Sequence, residues 1–171
     1  MALPRKLKNF NLFNDANSYQ GVAKSVTLPK LTRKMEAFRG AGMDGSVKAD
    51  MGMGDDGIQL EWKLGGWDMT AVRQYGITNA SGVLLRFAGS VQRDDTGEVV
   101  AVEVVVRGRH EEIDFGDAES GEDTEHSITT TCTYYKLTVD GNEEIEIDLL
   151  GFVFKVNGKD LLEQQRKAIG L

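Results

Sequence analysis

Gly40, Gly42 and Gly45 in RGAGMDGS spell G-x-G-x-x-G, a spacing that lets a backbone close on a pyrophosphate when a buried strand precedes it and a helix opens behind it. TRKMEAFR in front is too polar for a central parallel strand, and SVKADMGMGDDG behind it cannot open a helix. The spacing therefore predicts a glycine-rich loop and no nucleotide site. Residues 114–125 crowd Asp114, Asp117, Glu119, Glu122, Asp123 and Glu125 around Gly116 and Gly121. An EF-hand needs its glycine sixth among alternating oxygen ligands, which this order does not supply, so a solvated loop is expected. His110 and His126 are the only histidines; neither has metal-ligand spacing, and their glutamate neighbours place them in surface strands or loops. Cys132, in TTTCTYY, could be a nucleophile, but a lone cysteine in a β-run reads as a small core residue. Tyr134 and Tyr135 could stack bases, yet only Lys136 accompanies them, so they are assigned to core or interface. Carboxylates abound without any pair standing out for glycoside chemistry. No catalytic residue, cofactor or metal ligand is assigned, and the chain is expected not to be an enzyme.

The elements that would carry these residues are mostly strands. Twenty glycines against two prolines, with Val, Thr and Ile in short runs, predict a β-rich chain with many turns. Residues 84–93 and 98–109 form one hairpin about Asp94-Asp95-Thr96-Gly97, with Phe87, Gly89 and Val91 alternating against Arg86, Ala88, Ser90 and Gln92. Its second arm, EVVAVEVVVRGR, is apolar on both faces except at Glu103 and must be covered on both. Residues 127–139 and 143–150 form another hairpin about Asp140-Gly141-Asn142. Tyr135, Leu137 and Val139 share a face; Ile145, Ile147 and Leu149 point inward, and Glu144, Glu146 and Asp148 form an outward acidic row. Residues 9–13 and 19–27 pair around Asn14-Asp15-Ala16-Asn17. Asp68 caps a short helix ending at Tyr75 and Gly76, with Met69, Val72 and Tyr75 on its buried side. A C-terminal helix spans 157–170, starting at Asn157 or Asp160, with Leu161, Leu162, Gln165 and Ile169 as its stripe. Residues 31–39 fit either a helix, through Leu31, Met35 and Phe38, or a strand.

At 171 residues the chain is read as one domain, 1–171, large enough for an apolar core without staples. A single cysteine excludes an internal disulfide. No apolar run follows the basic start MALPRKLKNF, so neither a signal peptide nor a membrane anchor is expected. The net charge of −7 is uneven: residues 1–50 hold nine Lys/Arg against four Asp/Glu, and residues 94–148 hold three against seventeen. The division fits either solvated faces or self-complementarity, in which a basic arm meets the acidic surface of a neighbouring copy. Basic residues spread over fifty positions do not make a duplex-DNA reader.

The stretches PRKLKN, SYQGVAKSVTLPKLTRK, FRGAGMDG, RFAGSVQRDDTGE, VEVVVRGR, GEDTE, CTYYKL, EIDL and VNGKDLLEQQRKAIGL run in this order over nearly the full length. On them the chain resembles the major tail tube proteins of contractile-tailed bacteriophages and of contractile phage-tail-like bacteriocins. The resemblance implies an antiparallel β-sandwich or barrel-like subunit with one short helix, a C-terminal helix and a long glycine-rich hairpin loop at 39–53. It implies homo-hexameric rings stacked as a tube inside a contractile sheath, with sheath, baseplate or tail-tip and tape-measure proteins as partners and DNA as a transient, non-specific passenger. The protein would reside in the host cytoplasm before assembly and in the virion tail after it. A bacteriocin or type VI secretion-like tube and a soluble β-sandwich binding module are the alternatives.

In such a tube, ring contacts fall on Leu28, Pro29, Leu31, Arg33, Lys34, Arg39, Gly40, Gly42, Met43, Met51 and Met53, whose flexible thioethers suit a surface that orders on binding. Glu103, Glu144, Glu146 and Asp148 are the acidic lumen candidates. Duplex DNA carries one negative charge per about 1.7 Å, so a carboxylate-lined wall would repel it and prevent sticking.

Overall fold

IQLEWKL alternates apolar and polar residues with a strict two-residue period. In the computed structural model, which describes residues 1–171, it is a strand with Ile58, Leu60, Trp62 and Leu64 buried and the residues between them exposed. In chain order the elements are β1 (Lys6–Asn14), β2 (Asn17–Ser18), β3 (Ala23–Thr27), β4 (Arg33–Phe38), β5 (Val47–Met53), β6 (Ile58–Leu64), α1 (Met69–Gln74), β7 (Val83–Gln92), β8 (Val99–Asp114), β9 (His126–Val139), β10 (Asn142–Asp148), β11 (Val153–Val156), β12 (Lys159–Asp160) and α2 (Glu163–Ala168). The fold is mainly β, all ladders are antiparallel, and both helices are short.

Ten strands make one sheet in the order β12-β11-β10-β9-β8-β7-β1-β2, with β3 and β6 branching from β9. The branch occurs because β6 and β10 share one edge of β9 end to end. β6 takes the stretch from His126 to Cys132, and β10 takes the stretch from Tyr134 to Val139. Across the fork β8 shifts register between Arg107 and Gly108. A Cβ on Gly108 would collide with the Thr131 carbonyl oxygen and lie 2.8 Å from the Cys132 Cα; glycine permits the approach. The sheet then curls onto itself. Tyr19, beside the β1–β2 end, meets Trp62 of the β6 branch at 5.6 Å between rings, and the enclosed core gathers Leu12, Leu85, Val104, Val106, Ile128, Cys132, Tyr135 and Ile147.

Both long hairpins form as the sequence predicts. The second turns through Asp140 and Gly141, both at positive φ (51° and 79°), the two-residue geometry that Asp-Gly favours. Other expectations are corrected. The strand that pairs back on β1 is the two-residue β2 at Asn17–Ser18, not the segment 19–27, whose later part is β3 and crosses to β6, where Val26 packs against the core. The 31–39 stretch is the strand β4. The glycine loop is shorter than 39–53, since residues 47–53 are β5 paired with β4 and only 39–46 turn between them. The C-terminal helix begins at Glu163, because Asn157 and Gly158 take positive φ in a tight turn and Lys159–Asp160 pair as β12. In α1 the buried residue is Ala71, whereas Met69 and Tyr75 are exposed. Leu149 lies beyond the end of β10 and is exposed. Both histidines are in the interior, His110 5% and His126 1% exposed.

Candidate assembly surface

The β4–β5 hairpin is the one sheet outside the main ladder. Its Phe38 and Val47 stand directly opposite each other beside the turn, and with Met35 and Met51 they face solvent; Phe38 is 62% exposed. A helical reading puts Met35 and Phe38 on one face. In a strand, positions three apart take opposite faces, so Phe38, Val47 and Met51 share one side of the hairpin and Met35 lies on the other, beside Ala37, Lys48 and Asp50. Gly40, Gly42 and Gly45 lie in its turn, where Gly40 N–H reaches Met43 Sδ at 3.1 Å and Arg39 Nε donates to Met43 O at 3.2 Å.

The base of the hairpin is held by charge. Arg33 Nε lies 3.1 and 3.0 Å from the two Asp50 oxygens, and Gly52 N–H donates to Asp50 at 2.9 Å. The Arg33 guanidinium and this amide hold the Asp50 carboxyl below its usual range. Arg33 also lies over the Phe154 ring at 5.1 Å, and Lys34 pairs with Asp55 at 3.0 Å. Between the hairpin base, β10, β11 and α2 runs an open groove of about 580 Å³ lined by Met51, Met53, Leu149, Phe152, Phe154 and Leu162. Leu28 and Leu31, in the exposed linker before β4, flank Pro29, which is half-buried.

The acidic candidates are only partly one row. Glu103, Glu146 and Asp148 are the outward residues of β8 and β10, and register links them to Arg86, Arg107 and Lys136 on the same face. Glu103 pairs with Arg86 at 3.4 Å and Lys136 with Glu143 at 3.7 Å. Glu146 accepts from Tyr134 Oη at 3.1 Å; burial, then this carboxylate, pushes the phenol up to about 12. Asp148 accepts from the amides of Leu150 and Gly151 and so caps its own turn. Glu144 is the extra residue of a bulge between Glu143 and Ile145 and falls outside the ladder. The missed residues are the cations, which were legible as Arg86, Arg107 and Lys136 alternating with inward positions of the same strands.

The wider charge division is bridged within one subunit. Arg5 meets Glu98, Lys8 meets Asp94, and Lys24 meets both Asp123 and Glu125. The residues weighed for catalysis, Cys132, His110 and His126, are buried in the interior. Burial pushes the Cys132 thiol up to about 12, far from a thiolate nucleophile. Both ring nitrogens of His110 are hydrogen-bonded, to Thr130 and Gln74. His126 sits edge-on to Trp67 and Phe115 at 4.5 and 5.0 Å. No helix is long and apolar enough to cross a membrane.

Comparison with known proteins matches residues 4–170 to the family described as Phage tail tube protein FII. The tail tube protein of Escherichia phage P2 is 58% identical, covering all of both chains. The major tail tube protein of Serratia phage KSP20 is 41% identical over 94% of this chain and 92% of its own. Among solved structures, a chain of the six-fold symmetrised anti-feeding prophage baseplate superposes with a TM-score of 0.56 over 81% of this chain and 97% of its own; at 10% identity the likeness is one of fold.

Proposed function

This chain belongs to the phage tail tube protein family and is a structural component of the virion tail, not an enzyme; from that premise we propose that six copies close into a ring. Rings stack as the inner tube of a contractile tail and conduct DNA from the virion into the host. The observation that carries this reading is the β4–β5 hairpin, whose Met35, Phe38, Val47 and Met51 are exposed on both faces with no layer of the same molecule over them. Contiguous exposed apolar surface marks a contact surface. An open edge supports the same conclusion. Before Leu12, whose carbonyl accepts the Tyr19 amide, the outer side of β1 has no strand partner, and Lys6 and Lys8 on this stretch guard it against indiscriminate pairing. A copy adding its strand there continues the ladder from subunit to subunit.

In this reading Leu28, Pro29, Leu31, Arg39, Gly40, Gly42 and Met43 meet the adjoining copy. Met51 joins them on the exposed surface, while Arg33, Lys34 and Met53 brace the hairpin that presents them. The face with Glu103, Glu146 and Asp148, with Glu144 at its bulge, turns to the lumen. Sheath, baseplate or tail-tip and tape-measure proteins are its tail partners, and the subunit waits in the host cytoplasm until assembly. Sedimentation and negative-stain imaging of the purified full-length chain test the reading: rings or tubes with six-fold cross-sections are expected, and a monomer at every concentration refutes it.

A further inference from the structure

Beneath α1 runs a chain of side-chain hydrogen bonds whose direction can be assigned link by link. Tyr19 Oη–H donates to an Asp68 oxygen at 2.6 Å, so Tyr19 accepts from Asn14 Nδ2 at 3.1 Å. That orients the Asn14 amide, which exchanges two bonds with Gln74 at 2.7 and 2.8 Å. Gln74 Nε2 also reaches the Asp15 carboxylate at 3.3 Å, so Gln74 Oε1 is the acceptor that faces His110 Nε2 at 3.0 Å. His110 therefore carries its proton on Nε2, and its Nδ1 accepts from the Thr130 hydroxyl at 2.9 Å. Thr130 Oγ1 in turn accepts the indole N–H of Trp62 at 3.1 Å. Every member is satisfied only with a neutral imidazole.

This chain holds α1 at both ends, through its cap Asp68 and its last residue Gln74. The helix itself buries Ala71 alone, so apolar burial contributes little to its docking. Glycines at 65, 66, 76 and 82 flank the segment; Met69 and Tyr75 are exposed on its outer side, while Trp67 before the helix stacks on Phe115 over His126 and Ile77 after it packs against the core. We propose that the chain is a latch: it keeps α1 on the sheet between the anchors Trp67 and Ile77 while His110 is neutral, and a proton on His110 releases the helix with the sheet still folded.

Protonation puts an N–H on Nδ1 against an oxygen that already accepts from Trp62, strands the Thr130 hydroxyl proton, and leaves a cation without a carboxylate bonded to it. The groups facing it from each element are neutral: Trp62 of β6, Thr130 of β9 and Gln74 of α1. Asp68 and Asp15 are joined to it only through Tyr19, Asn14 and Gln74, and Glu111, next to it in β8, bonds Gln59 and Thr131 instead. Burial pushes His110 from an ordinary 6.5 down to about 4. Above pH 6.5 the imidazole is neutral whether α1 is docked or free. As pH falls from 6.5 towards 4 the free form takes up a proton that the docked form refuses, so docking weakens across that window and no further below it.

Hydrogen exchange of the full-length chain, corrected for intrinsic rates, tests the latch. Protection of the α1 amides is expected to fall roughly 20-fold from pH 7 to pH 5, while β7, β8 and β9 keep theirs; His110→Gln removes that pH response. Unchanged α1 protection, loss in α1 and β7–β9 together, or the same pH response in His110→Gln would each overturn it. Nitrogen NMR of the unmodified protein reads the tautomer independently of any variant: protonated Nε2 with bare Nδ1 is expected at pH 7, and the reverse refutes the direction of the chain.

Discussion

Thr130 is fully buried, and its single hydroxyl serves two rings, accepting from Trp62 and donating to His110. Thr130→Val keeps the shape and removes both bonds, leaving a buried indole donor unpaired; a loss of about 2 kcal/mol is expected. Urea denaturation checks it, and an unmoved midpoint would contradict the role given to the hydroxyl. None of this was legible in the sequence. His110 and His126 have glutamates as chain neighbours, which reads as surface, but a strand alternates its faces, so a buried histidine can sit beside an exposed Glu111. Cys132 was legible as core, because a small apolar side chain within a run of Thr and Tyr has few other uses.

Among the elements, the β8–β9 ladder depends on one glycine. At Gly108 the strands approach too closely for a Cβ, just where β9 changes partner from β10 to β6. Gly108→Ala is expected to cost about 2 kcal/mol or more through forced backbone displacement, with a lowered thermal midpoint as the readout. The β4–β5 hairpin makes the opposite prediction. Because Phe38 and Val47 pair directly, replacing residues 39–46 by Asn-Gly joins the strands through a tight turn. The thermal midpoint should stay within a few degrees while tube formation, seen by negative stain, is lost; long tubes from this variant would remove the turn from the ring contact. The two long hairpins were readable from their alternation and turn residues. The start of the C-terminal helix was not, since Asn157 and Asp160 are good caps in any helix but here serve a turn and an ion pair with Arg166.

For the whole molecule, the net charge of −7 is no guide to any one face. On the outward side of β7 to β10, carboxylates are interleaved with Arg86, Arg107 and Lys136, so a lumen lined by this face, as proposed, would repel DNA by a narrow margin. Tubes assembled from the double variant Glu103→Lys, Glu146→Lys are expected to retain duplex DNA at low salt and release it at high salt, where unmodified tubes retain none; equal behaviour in a filter-binding assay would place this face elsewhere than the lumen. By itself the sequence determined the β class, the two long hairpins, the absence of a disulfide and the likeness to tail tube subunits, because strand period, turn chemistry and motif order are carried by residues close together in the chain. Only the tertiary structure decided that the sheet forks at Gly108 and closes through Tyr19 and Trp62, that the histidines are interior, and that β4 and β5 stand apart with apolar faces uncovered. Those outcomes depend on which distant strands share an edge, and a local pattern of apolar and polar residues is satisfied equally by several such pairings.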